Sequence, residues 1–291
     1  GGSTLADAMA KHPNVFNRIY VALIRTGETA GVLDEVLLRL ADNLEKQREF
    51  RSKVKGAMIY PVIVVIAMMA VATVMMIFVV PKLMSLYDEF QAELPTPTLI
   101  LMKISQFFVS FWWLGLIILV GAVAAFRNFQ KTPFGRRRID GIILRLPIFG
   151  KLQTQIVLTE VTRTLGLLVG AGVSIIEALN ITANAAGNAV FEERLNLSAK
   201  QVEKGLSLAG VLSGYEEFPP IVSQMISVGE ETGKMDDVLT KLSHYFEQES
   251  EQMVRGLTTA IEPIIMIILG LGVGFLIIAI ILPIYNLTSQ F

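Results

Sequence analysis

Cysteine is absent from the 291 residues, and histidine occurs only as His12 and His244. The first absence excludes disulfides, cysteine-ligated zinc, iron–sulfur clusters and thiol catalysis; the second argues against a histidine-rich metal site. Charge is scarce as well. Charged residues make up 18% of the chain and the formal net charge is −1, so nothing global points to nucleic acid, which favours a clearly basic domain. No phosphate loop is found: Gly150-Lys151-Leu152 lacks both the upstream glycine and the hydroxyl that such a loop needs, and Gly170-Ala171-Gly172 is a bare GxG. Both read as turns. No Ser/His/Asp arrangement stands out, and neither a catalytic residue nor a cofactor is assigned.

What fills the chain instead is apolar. Hydrophobic residues account for 53%, and the mean hydropathy is +0.56, which places the chain among membrane proteins. Three runs are long enough to cross a bilayer, which takes about 20 residues: Pro61 to Val80, Phe107 to Phe126 and Pro263 to Leu282. None contains an ionisable residue, so a proton or ion path of the usual charged kind is missing. Trp112 and Trp113 suit a membrane interface.

The basic residues orient these runs. Lys46 to Lys55 precedes the first, Arg127 to Arg138 follows the second, Arg255 precedes the third, and no Lys or Arg follows it. Between the first two runs Lys82 and Lys103 stand beside Asp88, Glu89 and Glu93. The rule that basic flanks stay inside predicts a cytoplasmic N-terminus, and the flanks themselves suit contact with anionic lipid. The expected organisation is a partial cytoplasmic helical bundle (1–60), a first span (61–80), a short external loop (81–106), a second span (107–126), a second cytoplasmic bundle (127–262), a third span (263–282) and an external tail (283–291).

An internal repeat underlies this order. Gly27 pairs with Gly229, 202 residues on, and Pro61/Pro263 and Pro81/Pro283 keep the same offset. Glu28/Glu230, Gly31/Gly233, Asp34/Asp236, Val36/Val238, Leu40/Leu242 and Glu45/Glu247 are identical pairs. Upstream, GSTLADAM aligns with GLSLAGVL after a one-residue shift. The second copy begins near Gln155, for which the first copy has no counterpart. The chain is therefore expected to be an N-terminally truncated form with an incomplete first bundle.

Both copies read as helices. Gln155 to Val169 has apolar residues at helical spacing. Ser174 to Glu177 has capping-box spacing, Asn188 and Ser207 suit helix starts, and Pro219 and Pro220 suit a first turn. The fold class is thus an all-α membrane protein with two homologous cytoplasmic helical bundles and three transmembrane helices. Asp236 to Leu282 would extend ~70 Å as one helix, with a kink expected at Pro263.

The duplicated corner is GETAGVLDEVLLRL at Gly27 and GEETGKMDDVLTKL at Gly229. Gly31 and Gly233 fit the left-handed position after a helix, and Asp34 and Asp236 fall in a first turn, where negative charge is favoured. Glu28 and Glu230 do not fit so simply, since each stands late in a helix. They are expected to form a salt bridge, touch a partner or hold a cation, and are the weak metal candidates. Gly270 and Gly274 form a GxxxG in the third run, suited to close packing within the chain or between copies.

Taken as a set, several motifs resemble the inner-membrane platform family of type II secretion and type IV pilus systems. They are LLVGAGVS (Leu167 to Ser174), the Glu177-Ala178-Leu179 that follows, Ser207-Leu208-Ala209, Phe218-Pro219, the doubled G-E-x-x-G corner, Tyr60-Pro61 with Glu262-Pro263, and Leu282 to Tyr285. The resemblance implies a non-enzymatic platform in the inner membrane. It would couple a hexameric cytoplasmic ATPase to the assembly of pilins or pseudopilins, beside other inner-membrane assembly proteins and as a homo-oligomer. A membrane transporter or channel built from repeats is the alternative.

Overall fold

A computed structural model describes residues 2–81 and 96–288. Most of the expected external loop, with Lys82, Asp88, Glu89 and Glu93, lies outside the described residues. So do residues 289–291 and the side chains of Trp112 and of Leu282 to Tyr285. Among the described residues the regular elements are helices: α1 (Leu5–Ala10), α2 (Arg18–Ala30), α3 (Leu33–Val74, continued by a π turn, Met75–Val79), α4 (Thr96–Lys131), α5 (Pro133–Arg145), α6 (Phe149–Gly170), α7 (Ile175–Ala185), α8 (Ala189–Glu203), α9 (Leu208–Leu212), α10 (Pro220–Thr232) and α11 (Met235–Thr288).

The helix starts carry their expected caps. Ser174 Oγ accepts from the Glu177 N–H, Asn188 Oδ1 from those of Val190 and Phe191, and Ser207 Oγ from that of Gly210. Each satisfies a donor that the helix itself leaves open. α6 begins six residues earlier than its periodicity predicts, and Gly150 lies inside its first turn. That glycine is required by contact, because a Cβ there would run into the Leu144 carbonyl oxygen.

The turn before it is strained. Ile148 has φ 68° and ψ −60°, and the Phe149 N–H reaches back to the Pro147 carbonyl at 2.8 Å. This is the rare γ-turn of positive φ, which costs a β-branched residue on the order of 1–3 kcal/mol. It bends the path from α5 into α6 by 113°.

The chain divides into two compact units. One comprises Gly1–Val54 with Gln130–Val254, the other Lys55–Phe129 with Arg255–Phe291. In the first unit a single core gathers Leu158, Leu165 and Leu168 of α6, Leu179 of α7, Phe191 and Leu195 of α8, and Leu239, Leu242 and Phe246 of α11. Phe191 meets Phe218 edge-on, with ring centroids 5.3 Å apart. Each such side chain contributes about 1.5–3 kcal/mol by leaving water.

Leu23, Val36 and Leu40 of the first repeat join the same cluster. The sequence assigns these helices to a bundle of their own. Three helices leave their apolar stripes partly uncovered, and α2 finds cover on α6 and α7.

In the second unit, two helices among the described residues are long and apolar enough to cross a membrane, within Leu33–Phe78 and Met235–Phe275. The remaining expected span, Phe107–Phe126, lies on α4, where several side chains are outside the described residues. Pro61 lies inside α3, and α11 continues through Pro263. Ser105 Oγ donates to the Met76 carbonyl in the π turn at 2.6 Å.

Candidate functional site

At each duplicated corner a short helix, a medium helix and a long helix meet: α1, α2 and α3 in the first copy, α9, α10 and α11 in the second. Gly31 (φ 72°) and Gly233 (φ 69°) close α2 and α10 in the left-handed region, as their spacing predicts. The Val32 N–H then returns to the Gly27 carbonyl at 3.0 Å. Asp34 stands in the first turn of α3, and Asp236 in that of α11, where the helix dipole favours a carboxylate.

Gly27 and Gly229 do something the sequence does not announce. A Cβ on Gly27 would lie 3.1 Å from Val36 Cγ2 and 3.3 Å from Leu33 Cα, and one on Gly229 would lie 3.2 Å from Met235 Cα and 3.4 Å from Val238 Cβ. The identical glycines let the long helix close on the medium one through the identical valines, Val36 and Val238.

The two glutamates have the same partner in each copy. Glu28 accepts the Leu5 N–H at 2.6 Å and the Ala6 N–H at 3.0 Å. Glu230 accepts those of Leu208 at 2.6 Å and Ala209 at 3.3 Å. Thr4 and Ser207 each take the next donor along, the N–H of Asp7 and of Gly210, both at 3.1 Å. Two side chains from different helices thus satisfy three of the four open donors of a one-turn helix. A carboxylate at that positive end is also favoured by charge. No group of three or more His, Asp or Glu residues suited to a metal occurs among the described residues.

A polar seam that sequence reasoning missed joins α3, α6 and α11 in the same unit. Arg163, 7% exposed, pairs with Glu247 at 2.8 Å, and its guanidinium lies 5.8 Å from the centre of the Phe50 ring. Gln47 donates to Glu160 at 2.6 Å, and Arg51 lies 3.7 Å from the same carboxylate. Lys53 meets Glu251 at 2.9 Å. The hydrogen bond and charge of Glu251 hold the Lys53 ammonium above the usual lysine value. Burial pushes the Tyr20 hydroxyl up, against the opposing charge of Arg51. The available signal was Glu160 and Arg163, the one carboxylate and the one arginine of α6, three residues apart. His244, 3.9 Å from Glu247, is 55% exposed.

Gly166 and Gly170 of α6 form the glycine pair that packs. Their Cβ positions would lie 3.2 Å from Leu239 Cβ, and 3.1 Å from Arg39 Nη1 with 3.4 Å to Asp236 Cβ. Among the described residues, the Cβ positions of Gly270 and Gly274 meet nothing within 4 Å.

The profile of "Type II secretion system (T2SS), protein F" matches residues 1–81 and 161–283. Its two segments end at Pro81 and Pro283, 202 residues apart, in the register of the repeat. The chain belongs to the type II secretion system protein F family. Among similar family members, a type IV pilus assembly protein PilC of Thermus thermophilus is 40% identical over 99% of this chain and 71% of its own length. A PilC of Myxococcus xanthus is 37% identical over 99% and 69%. A type II secretion system protein F of Xanthomonas campestris pv. campestris is 32% identical over 99% and 71%. Both copies of the corner and the LLVGAGVS turn fall within the matched residues.

Proposed function

We propose that this family member is a non-enzymatic platform of the inner membrane, coupling a cytoplasmic, hexameric assembly ATPase to the assembly of pilins or pseudopilins. The observation that carries the reading is the construction of α3 and α11. Each begins at a copy of the acidic corner and continues as one helix into an apolar segment, which offers a continuous path for a displacement at the corner. Relatives named for type IV pilus assembly and for type II secretion support the process.

On this reading residues 1–60 and 127–262 are cytoplasmic, 61–80, 107–126 and 263–282 span the membrane, and 81–106 and 283–291 lie outside. The N-terminus is cytoplasmic. The open Gly270–Gly274 stripe supports contact between copies in a homo-oligomer with other inner-membrane assembly proteins nearby. The three apolar runs hold no ionisable residue, which weighs against the transporter alternative.

Charge reversal at Asp34 and Asp236 tests the reading, because Asp34 is exposed, Asp236 is half-buried, and each stands in the first turn of a long helix. Variants that insert and fold normally should lose ATPase-driven assembly while the ATPase turns over uncoupled. Undiminished assembly by such variants would remove the corner from the coupling path.

A further inference from the structure

The outward face of α5 is unaccounted for by the corner, the seam or the core. Its inner face is clamped to α8: Arg136 lies 3.5 Å from Glu192, Arg137 2.8 Å from Glu193, and Asp140 accepts the Ala189 N–H at 2.7 Å. Leu144 packs on the core. At 100° per residue, Phe134, Arg138, Ile142 and Arg145 share the opposite face. Phe134 is 64% exposed and Ile142 60%. Arg138 stacks over the Phe134 ring at 5.1 Å. Among the described residues no carboxylate lies within ion-pair distance of Arg138 or Arg145.

We infer that this face of α5 lies on the headgroup layer of an anionic phospholipid bilayer. Phe134 and Ile142 enter the acyl boundary, and Arg138 and Arg145 meet lipid phosphates. Two exposed apolar side chains alternating with two unpaired arginines are the composition of an interfacial helix. The four positions line an open cleft of 660 Å³. Its other two arginines, Arg137 and Arg194, are already engaged by Glu193 and Glu217, and Glu216 also lines it. The strained turn after α5 leaves Leu146, Ile148 and Phe149 exposed at 45%, 58% and 53%.

Chain length supplies the occupant. Phe134 follows Phe126, the end of the second apolar run, by eight positions, and most of the seven residues between them are helical. That closeness in sequence to a bilayer-length apolar run, with arginines and apolar side chains interleaved, favours an anionic lipid surface as the occupant. The inference rests on the reading of Phe107 to Phe126 as a span.

The absence of cysteine makes the test direct. Single variants Ile142→Cys, Ile118→Cys and Val228→Cys of the full chain carry a fluorophore at one site each, in nanodiscs holding one chain. Spin-labelled lipids quench from the bilayer side and iodide from water. The label at 142 should be lipid-quenched and iodide-shielded in discs containing phosphatidylglycerol. That protection should fall severalfold in phosphatidylcholine alone, or with Arg138→Glu and Arg145→Glu, and inorganic phosphate should not mimic it. Position 228, on α10, should remain open to iodide throughout. Iodide access at 142 equal to that at 228 in every lipid, with 118 still lipid-quenched, would overturn the inference and leave the span intact. Loss of lipid quenching at 118 would overturn the span and the inference with it. Shielding at 142 only in discs holding two chains would assign the face to a second copy and overturn the lipid reading.

Discussion

Thr258 Oγ1 lies 3.4 Å from the carbonyl oxygen of Ala57 and donates to it across from the other repeat. Ala57 is the residue four before Pro61, which has no N–H to give it. The hydroxyl therefore fills the gap that the proline opens in the α3 ladder. Thr258→Val is expected to cost about 0.5–1 kcal/mol. In a Pro61→Ala background, where a backbone N–H returns, the cost should shrink. A double-mutant cycle on unfolding in mixed micelles reads the coupling; strict additivity would dismiss the bond.

The glutamate latch predicts a local effect. Glu230→Ala and Glu28→Ala should each cost about 0.5–2 kcal/mol, the usual loss for a capping acceptor. Amide exchange should accelerate at Leu208 and Ala209, or at Leu5 and Ala6, before it does elsewhere. Unaltered exchange at these amides would show that the carboxylates do not bear on them.

Gly27→Ala sets two effects in opposition. Alanine improves helix propensity by about 1 kcal/mol, whereas its methyl group meets Val36 and the Leu33 backbone, and such overpacking costs about 1–3 kcal/mol. The collision should win, and Val36→Ala should recover part of the loss. Thermal denaturation of the single and double variants distinguishes this from a simple propensity gain.

Breaking the buried pair should cost more than replacing it. Glu247→Gln leaves the Arg163 charge without its counterion, at about 3 kcal/mol, since Glu247 retains some solvent contact. Arg163→Met with Glu247→Leu should return most of that. If the double variant is as unstable as Glu247→Gln alone, the pair holds the seam by a specificity that apolar packing does not replace.

Lys53 gives a dependence on alkaline pH. Its folded value is raised above 10.5 by Glu251. Its contribution is therefore complete below the unfolded value and is lost as pH climbs through the folded one. Lys53→Gln should flatten the stability profile above pH ~10.4, the ordinary lysine value, and leave it unchanged near neutrality.

Legibility in the sequence followed locality. Ser174, Asn188 and Ser207 announced their helices because a cap and its donor lie two or three residues apart. The all-α character and the repeat were legible for the same reason, through period and offset. The start of α6 was missed because Ile148 enters its turn against its own preference, so no propensity marks it. Glu28 and Glu230 stood out as misplaced charges, but their partners lie 21 to 23 residues away, beyond any local pattern. The shared core was hidden similarly, because Leu23 and Leu168 are joined by packing and not by spacing.

The two glutamate latches close over unequal loops. Glu28 lies 23 residues after Leu5, Glu230 22 after Leu208, and α1 is one residue longer than α9. A carboxylate on two rotatable methylenes finds the same pair of amides in both. Insertions and deletions between the short helix and the corner are therefore absorbed by side-chain reach, without disturbing the long helix behind it. Divergent copies of this corner are better recognised by a glutamate following a tightly packed glycine than by any fixed spacing upstream.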